Sequence, residues 1–109
     1  MSQRTEKVES LVQQVVATEI INLMGQDGAL ITVTGVDVTP DLRHATIWLG
    51  IIGDPISQKK LLDRVVGGGG DFQRAVSAKM TTKFVPRLDF RADTGGEYAA
   101  NIDKLLKQS

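Results

Sequence analysis

From residue 5 to about 24, Val8, Leu11, Val12, Val15, Val16, Ile20 and Leu23 recur at three- and four-residue steps. That spacing puts one stripe of an α-helix against a core. Gly25 follows the last of them, and a glycine in that position predicts the end of the helix. Beyond Gln-Asp-Gly, the run ALITVTGVDVT (29–39) is rich in β-branched residues and reads as a strand. Ile31 and Val33 share one face, but the alternation resumes at Val36 and Val38, a one-residue slip that predicts a bulge around Gly35.

TPDLR (39–43) supplies proline and aspartate for a turn. HATIWLGII then alternates Ala45, Ile47, Leu49 and Ile51 against Thr46, Trp48 and Gly50, so the two strands form an antiparallel hairpin. Asp54-Pro55 marks a second helix start, with aspartate as cap and proline in the first helical position. Leu61, Leu62, Val65 and Val66 give this helix its apolar side. After four glycines, Gly67 to Gly70, Asp71 reads as the cap of a third helix with Phe72, Ala75, Val76 and Met80 on one face, stopped by Pro86. RLDFRAD alternates as a strand with one buried face, and Tyr98, Ile102, Leu105 and Leu106 mark a short C-terminal helix. The expected architecture is one α+β domain spanning residues 1–109, a three-stranded sheet covered by helices.

Composition narrows the chemistry. The chain of 109 residues has no cysteine and one histidine, which leaves no disulfide, no thiolate chemistry and no zinc set. No metal or cofactor is expected. No apolar run approaches the length of about 20 residues that a membrane span needs, and MSQRTEKVES is too polar for a signal peptide. A cytoplasmic protein with no membrane partner is the default expectation. Serines and carboxylates are scattered, and His44 has no partner at motif distance, so no nucleophile system or carboxylate pair is expected.

The formal charge is zero, but it is unevenly spread. Residues 1–58 carry a balance of −4, residues 59–91 a balance of +5, and the remainder −1. A positive middle segment in a neutral chain fits either a localised anion-binding face or a solvated helical surface. Lys59, Lys60 and Arg64 belong to the second helix, and Arg74, Lys79 and Lys83 to the third or its end. These residues could surround the glycines with positive charge. Trp48 is out of phase with Ala45 and Ile47, which sets it on the far sheet face beside Arg87, Asp89 and Arg91. There it either stacks a base or, as we favour, is covered.

The glycines invite three readings. A nucleotide-binding P-loop fits poorly, because it needs a preceding strand and a following Lys-Ser or Lys-Thr. A GxxG loop of the KH type joins two helices and lets a nucleic-acid backbone lie across the junction, and Gly67 to Gly70 match that pattern literally. Its usual basic residue is missing, however, and Asp71 stands beside it. The bland alternative is a sharp interhelical bend that needs positive φ angles.

Several strings, taken in order, resemble the ribosome-binding factor A family. They are RTEKV (4–8), TVTGVDVTPDLRHATIWL (32–49), VPRLDF (85–90), and Asp93-Thr94 followed by IDKLL (102–106). The resemblance covers nearly the whole chain and implies a KH-like (type II KH-related) fold, with helices on one face of the sheet and a helix-kink-helix in place of the GxxG loop. The family's Ala-x-Gly kink falls at Gly68, Gly69 and Gly70, with glycine at the alanine position. Gln73 stands where arginine is usual, and Arg87 where glutamate is usual. The resemblance further implies a monomeric, non-catalytic factor. Its partners would be the immature small ribosomal subunit, 16S ribosomal RNA near the neck and decoding region, and neighbouring ribosomal proteins. It implies support for maturation of the RNA's 5′ end and for growth at low temperature. The expected RNA-binding residues are Lys59, Lys60, Arg64, Gly68, Gly69, Gly70, Gln73, Arg74, Lys79 and Lys83. A general KH-like module for single-stranded RNA, or a protein-interaction domain with a basic face, are the alternatives.

Overall fold

The structure, a computed structural model, describes residues 3–80 and 85–93. The C-terminal helix expected around Tyr98 to Leu106, and Lys83, lie outside the described residues. Helix α1 runs Gln3–Met24, and a short 3-10 segment Gly25–Leu30 leads into strand β1, Ile31–Val38. Strand β2 is His44–Ile51, helices α2 and α3 are Pro55–Gly67 and Gly69–Lys79, and strand β3 is Arg87–Ala92.

Along α1, Val8, Val12, Val16, Ile20 and Met24 are all buried, a stripe at four-residue steps facing the sheet, while Leu23, expected in the stripe, is 40% exposed because Met24 continues the four-residue step. Gly25 ends the helix at φ +58, a left-handed conformation that glycine adopts without steric cost. The expected bulge is present: Val33 pairs with Leu49 and Gly35 with Trp48, which leaves Thr34 as the extra residue. The Thr34 hydroxyl donates to the Trp48 carbonyl at 3.2 Å. Its methyl would stand 3.0 Å from any Cβ added at Gly50, so the bulge explains the glycine opposite it.

The hairpin turn is built from its own side chains. Asp41 accepts from the Thr39 hydroxyl at 2.6 Å and from the Arg43 amide at 3.1 Å. The Thr39 hydroxyl bond, foremost, and the Arg43 amide hold the Asp41 carboxyl below its ordinary value. Leu42 adopts φ +61 in this turn and buries its side chain in the core, so hydrophobic burial offsets an unfavourable backbone conformation.

The sheet has order β1-β2-β3, with β1 antiparallel and β3 parallel to β2. A parallel neighbour needs a crossover, and α2 with α3 form it. Phe72 and Val76 of α3 and Leu61 and Val65 of α2 join Ile47, Leu49 and the α1 stripe in one core. The Phe72 and Phe90 rings lie 5.0 Å apart at 55°, a tilted pair that ties α3 to β3. Val66, expected on the apolar side of α2, is 54% exposed instead, because the buried side of this helix is centred on Leu61 and Val65.

Candidate nucleic-acid interface

Asp54 caps α2 as expected, accepting the Ser57 amide at 2.8 Å, and that bond is the main reason its carboxyl lies below the ordinary value. At the other end of α2 the helix is broken by a single residue. Gly68 donates to the Arg64 and Val65 carbonyls, each at 3.1 Å, and its own carbonyl accepts the amides of Asp71 and Phe72. Its φ of −89 and ψ of 12 lie in the bridge region outside the helical well, at a negative φ that does not demand glycine. Two expectations are therefore corrected. The bend needs no positive φ, because among the described glycines only Gly25 and Gly53 have one. Asp71 does not cap α3. Gly68 occupies that position, while Asp71 sits in the first turn and pairs with Arg74.

What the glycines share is absence of bulk. A Cβ at Gly67 or Gly69 would meet nothing within 4 Å, and at Gly70 only the Arg74 guanidinium, at 3.6 Å. At Gly68 it would make ordinary contacts of 3.5–3.6 Å with Leu23, the Arg64 carbonyl and Phe72. The junction therefore leaves open space beside Gly67, Gly69 and Gly70 but not beside Gly68, with the Arg74 guanidinium near Gly70 and Arg64 one turn before the break.

Both guanidiniums are held by acids. Arg64 meets Asp27 of the 3-10 segment at 2.6 Å, and Arg74 pairs with Asp71 one helical turn away. Both pairs are largely solvent-exposed, with no side chain below 48% exposure. Each arginine has five N–H donors, so a carboxylate can orient it while other donors stay available to a phosphate. Asp27 was not anticipated from sequence. It lies 37 residues from Arg64, and no local pattern connects them.

The remaining nominated residues divide. Lys60 precedes Arg64 by one turn on the same side of α2, and Lys59 is its exposed neighbour. Lys79 ends α3, about 15 Å along the helix from the hinge, where it lines a groove with Thr18 and Glu19 of α1. Gln73 is engaged within the fold. Its amide is half-buried and used inside the fold, donating to the Pro86 carbonyl at 2.8 Å and accepting the Leu88 amide at 3.2 Å. Trp48 is buried at 8% exposure, which supports the covered reading over base stacking. His44 is exposed at the strand edge, and no group of three potential metal ligands occurs among the described residues.

An interrupted helix crossing over a three-stranded mixed sheet, with α1 packed on the same face, defines a KH-like α+β domain. The comparisons with known proteins agree. The family described as Ribosome-binding factor A matches residues 4–106, and the chain belongs to that family. A ribosome-binding factor A of Geobacter sulfurreducens is 34% identical over 109 residues, covering 99% of this chain and 92% of the relative. The solution structure of a Thermotoga maritima protein assigned to ribosome-binding factor A superposes with TM-score 0.73 at 19% identity, over 87% of this chain and 92% of that one. A homology model of the Thermus thermophilus factor, as fitted into a cryo-electron microscopy map of a complex of the factor with the 30S subunit, superposes with TM-score 0.62 at 20% identity, over 78% of this chain and 90% of that one.

Proposed function

We propose that this protein is a non-catalytic assembly factor that binds the immature 30S subunit and supports late maturation and 5′-end processing of its 16S ribosomal RNA. Its work is cytoplasmic, and its importance is greatest in the cold, where misfolded RNA escapes slowly. The observation that carries the reading is the open space beside Gly67, Gly69 and Gly70, with Arg64 and Arg74 one turn away in sequence on either side. Family membership and the Thermus factor's complex with its subunit support the same partner.

The mechanism follows from the geometry. A phosphate backbone approaches the glycines because no side chain holds it off, and Arg64 and Arg74 donate to phosphates with the N–H groups their acids leave available. Lys60 extends the positive surface along α2 and Lys79 along α3, with Lys83 beyond it in sequence. No base edge needs to be read, so the factor recognises a folded RNA surface and its neighbouring proteins by shape and charge.

The test is sedimentation of the purified protein with small subunits at low and at moderate salt. Association should be present at low salt and fall as salt rises, since each phosphate contact releases counterions. Absence of co-migration at both salts would refute the reading. Tight binding to short unstructured oligonucleotides would favour a general single-stranded RNA module instead.

A further inference from the structure

Between α1 and α3 lies a groove of about 550 Å³, within the range of about 300–1,000 Å³ that small-molecule sites occupy. Its apolar lining comes from Leu11 and Val15 of α1 and from Ala75 and Ala78 of α3, whose methyl groups are too small to fill it. Four polar side chains share that lining: Gln14, Glu19 and Asn22 on the α1 wall and Lys79 on the α3 wall. None of the four has a hydrogen-bond or ion-pair partner among the described residues, and Glu19 and Lys79 do not pair with each other. Thr18 also lines the groove, but its hydroxyl turns back to the Gln14 carbonyl at 3.0 Å. The groove adjoins the hinge. Ala75 follows Arg74, and Leu23, the neighbour of Asn22, has a methyl carbon 3.5 Å from where a Cβ at Gly68 would stand. From Arg74 to Lys79 the rise along α3 is about 7.5 Å, a distance that one extended nucleotide spans.

We propose that this groove receives one unpaired guanine of the RNA that crosses the hinge, with its base on Ala75 and Ala78, its Watson–Crick edge on Glu19 and its phosphate on Lys79. Recognition at the hinge needs no base edge, whereas this groove reads one. Glu19 selects the base. An ionised carboxylate only accepts hydrogen bonds, and guanine presents two adjacent donors, its N1 and N2 groups. Adenine and cytosine set a ring-nitrogen lone pair beside their amino group, and uracil flanks its single N–H with two carbonyls, so each turns a lone pair towards a carboxylate oxygen. Lys79 donates to the phosphate that Glu19 alone would repel. Arg74 and Lys79, near the two ends of the α3 wall, put the groove on the path of the RNA and not of a protein segment. In a two-fold pair of chains the groove would face its own concave counterpart and stay unfilled.

The inference rests on the subunit reading, since the guanine belongs to the RNA of the small subunit. The experiment separates the two. Purified small subunits are saturated with the full chain and treated with kethoxal, which adds to N1 and N2 of unpaired guanine. The expected result is a guanine that reacts in free subunits, is protected in the complex, and reacts again in subunits saturated with Glu19→Gln. That variant should keep the parent's circular dichroism, because Glu19 has no partner within the fold, and should bind about tenfold more weakly, the scale of one bidentate base contact. Ala78 is exposed, so Ala78→Trp fills the groove without entering the core, and it too should leave the guanine reactive. Co-sedimentation in which no guanine's protection depends on Glu19 would overturn the groove's assignment and leave the subunit reading intact. Association lost with Ala78→Trp while Glu19→Gln leaves every guanine protected would overturn it in favour of a protein segment. A free chain that dimerises until Ala78→Trp makes it monomeric would overturn it in favour of a second copy. Failure of the parent chain to co-sediment would remove both.

Discussion

Gln73 on α3 accepts the backbone amide of Leu88 at 3.2 Å, so a helix side chain sets the register at which β3 enters the sheet. The same amide group donates to the Pro86 carbonyl at 2.8 Å. These two bonds span the connection between the crossover helices and the parallel strand. Gln73→Ala should destabilise the fold by about 1–2 kcal/mol, the cost of leaving half-buried backbone groups unpaired. A urea denaturation midpoint measures it, and a midpoint equal to that of the parent chain would show the clasp to be dispensable.

The glycine run separates stability from binding. Gly68 has a backbone conformation open to any residue and room for a methyl group in van der Waals contact with Leu23 and Phe72. Gly68→Ala should therefore stabilise the protein by about 0.5–1 kcal/mol, raising its thermal midpoint. Gly69→Ala should stabilise it similarly while weakening subunit association, because its methyl would project into open space where the RNA backbone is to lie. If both substitutions lowered the midpoint, the junction would need glycine for its shape.

Glu9 gives a pH dependence whose sign is fixed by burial. Its Oε1 is buried without a hydrogen-bond partner among the described residues. Burial raises its pKa above the ordinary 4.5; a hydrogen bond with the backbone of Val38 opposes this, and the nearby charges of Asp37 and Glu6 add to it. The native state thus holds this proton more tightly than the unfolded chain. The stability it contributes is full below about pH 4.5 and is lost as pH rises through the raised native value. Glu9→Gln should be more stable than the parent at pH 7, with the difference shrinking towards pH 4. Comparing the two chains at each pH cancels Asp41 and Asp54, whose lowered values act in the opposite direction. A difference that grew on acidification would contradict this assignment.

The acids beside the hinge make a counter-intuitive prediction. Asp27→Asn and Asp71→Asn each remove a carboxylate from the place where a polyanion is to bind and release an arginine from its partner. Exposed pairs of this kind are worth about 0–1 kcal/mol, so the fold should hardly change. Subunit affinity should rise, and its salt dependence should steepen. Weaker binding by both variants would mean that the acids are needed to aim Arg64 and Arg74.

Most of the framework was legible in the sequence because it rests on periodicity. The α1 stripe as far as Ile20, the bulge at Thr34 and Gly35, the Asp54 cap, the buried face of α3 and the half-buried face of β3 each follow from spacing within one element. What was not legible joins residues far apart in sequence. Nothing near Arg64 announces Asp27, and Gln73 resembles any polar helix residue until β3 is brought beside it. Asp71 was misread for a local reason. Aspartate after a glycine run looks like a cap, but α2 and α3 are broken by one residue alone, which puts Asp71 inside the first turn. The candidate site was accordingly half visible: its glycines and arginines could be named, while the acids that hold the arginines could not.

The central claim is that the glycine hinge and its flanking guanidiniums meet the small subunit. Sedimentation of the Arg64→Glu, Arg74→Glu double variant with purified small subunits at low salt tests it most directly, with circular dichroism confirming the fold. Loss of association from a folded protein is the predicted result. Association as strong as the parent's would contradict the claim and move the contact to another face of the domain.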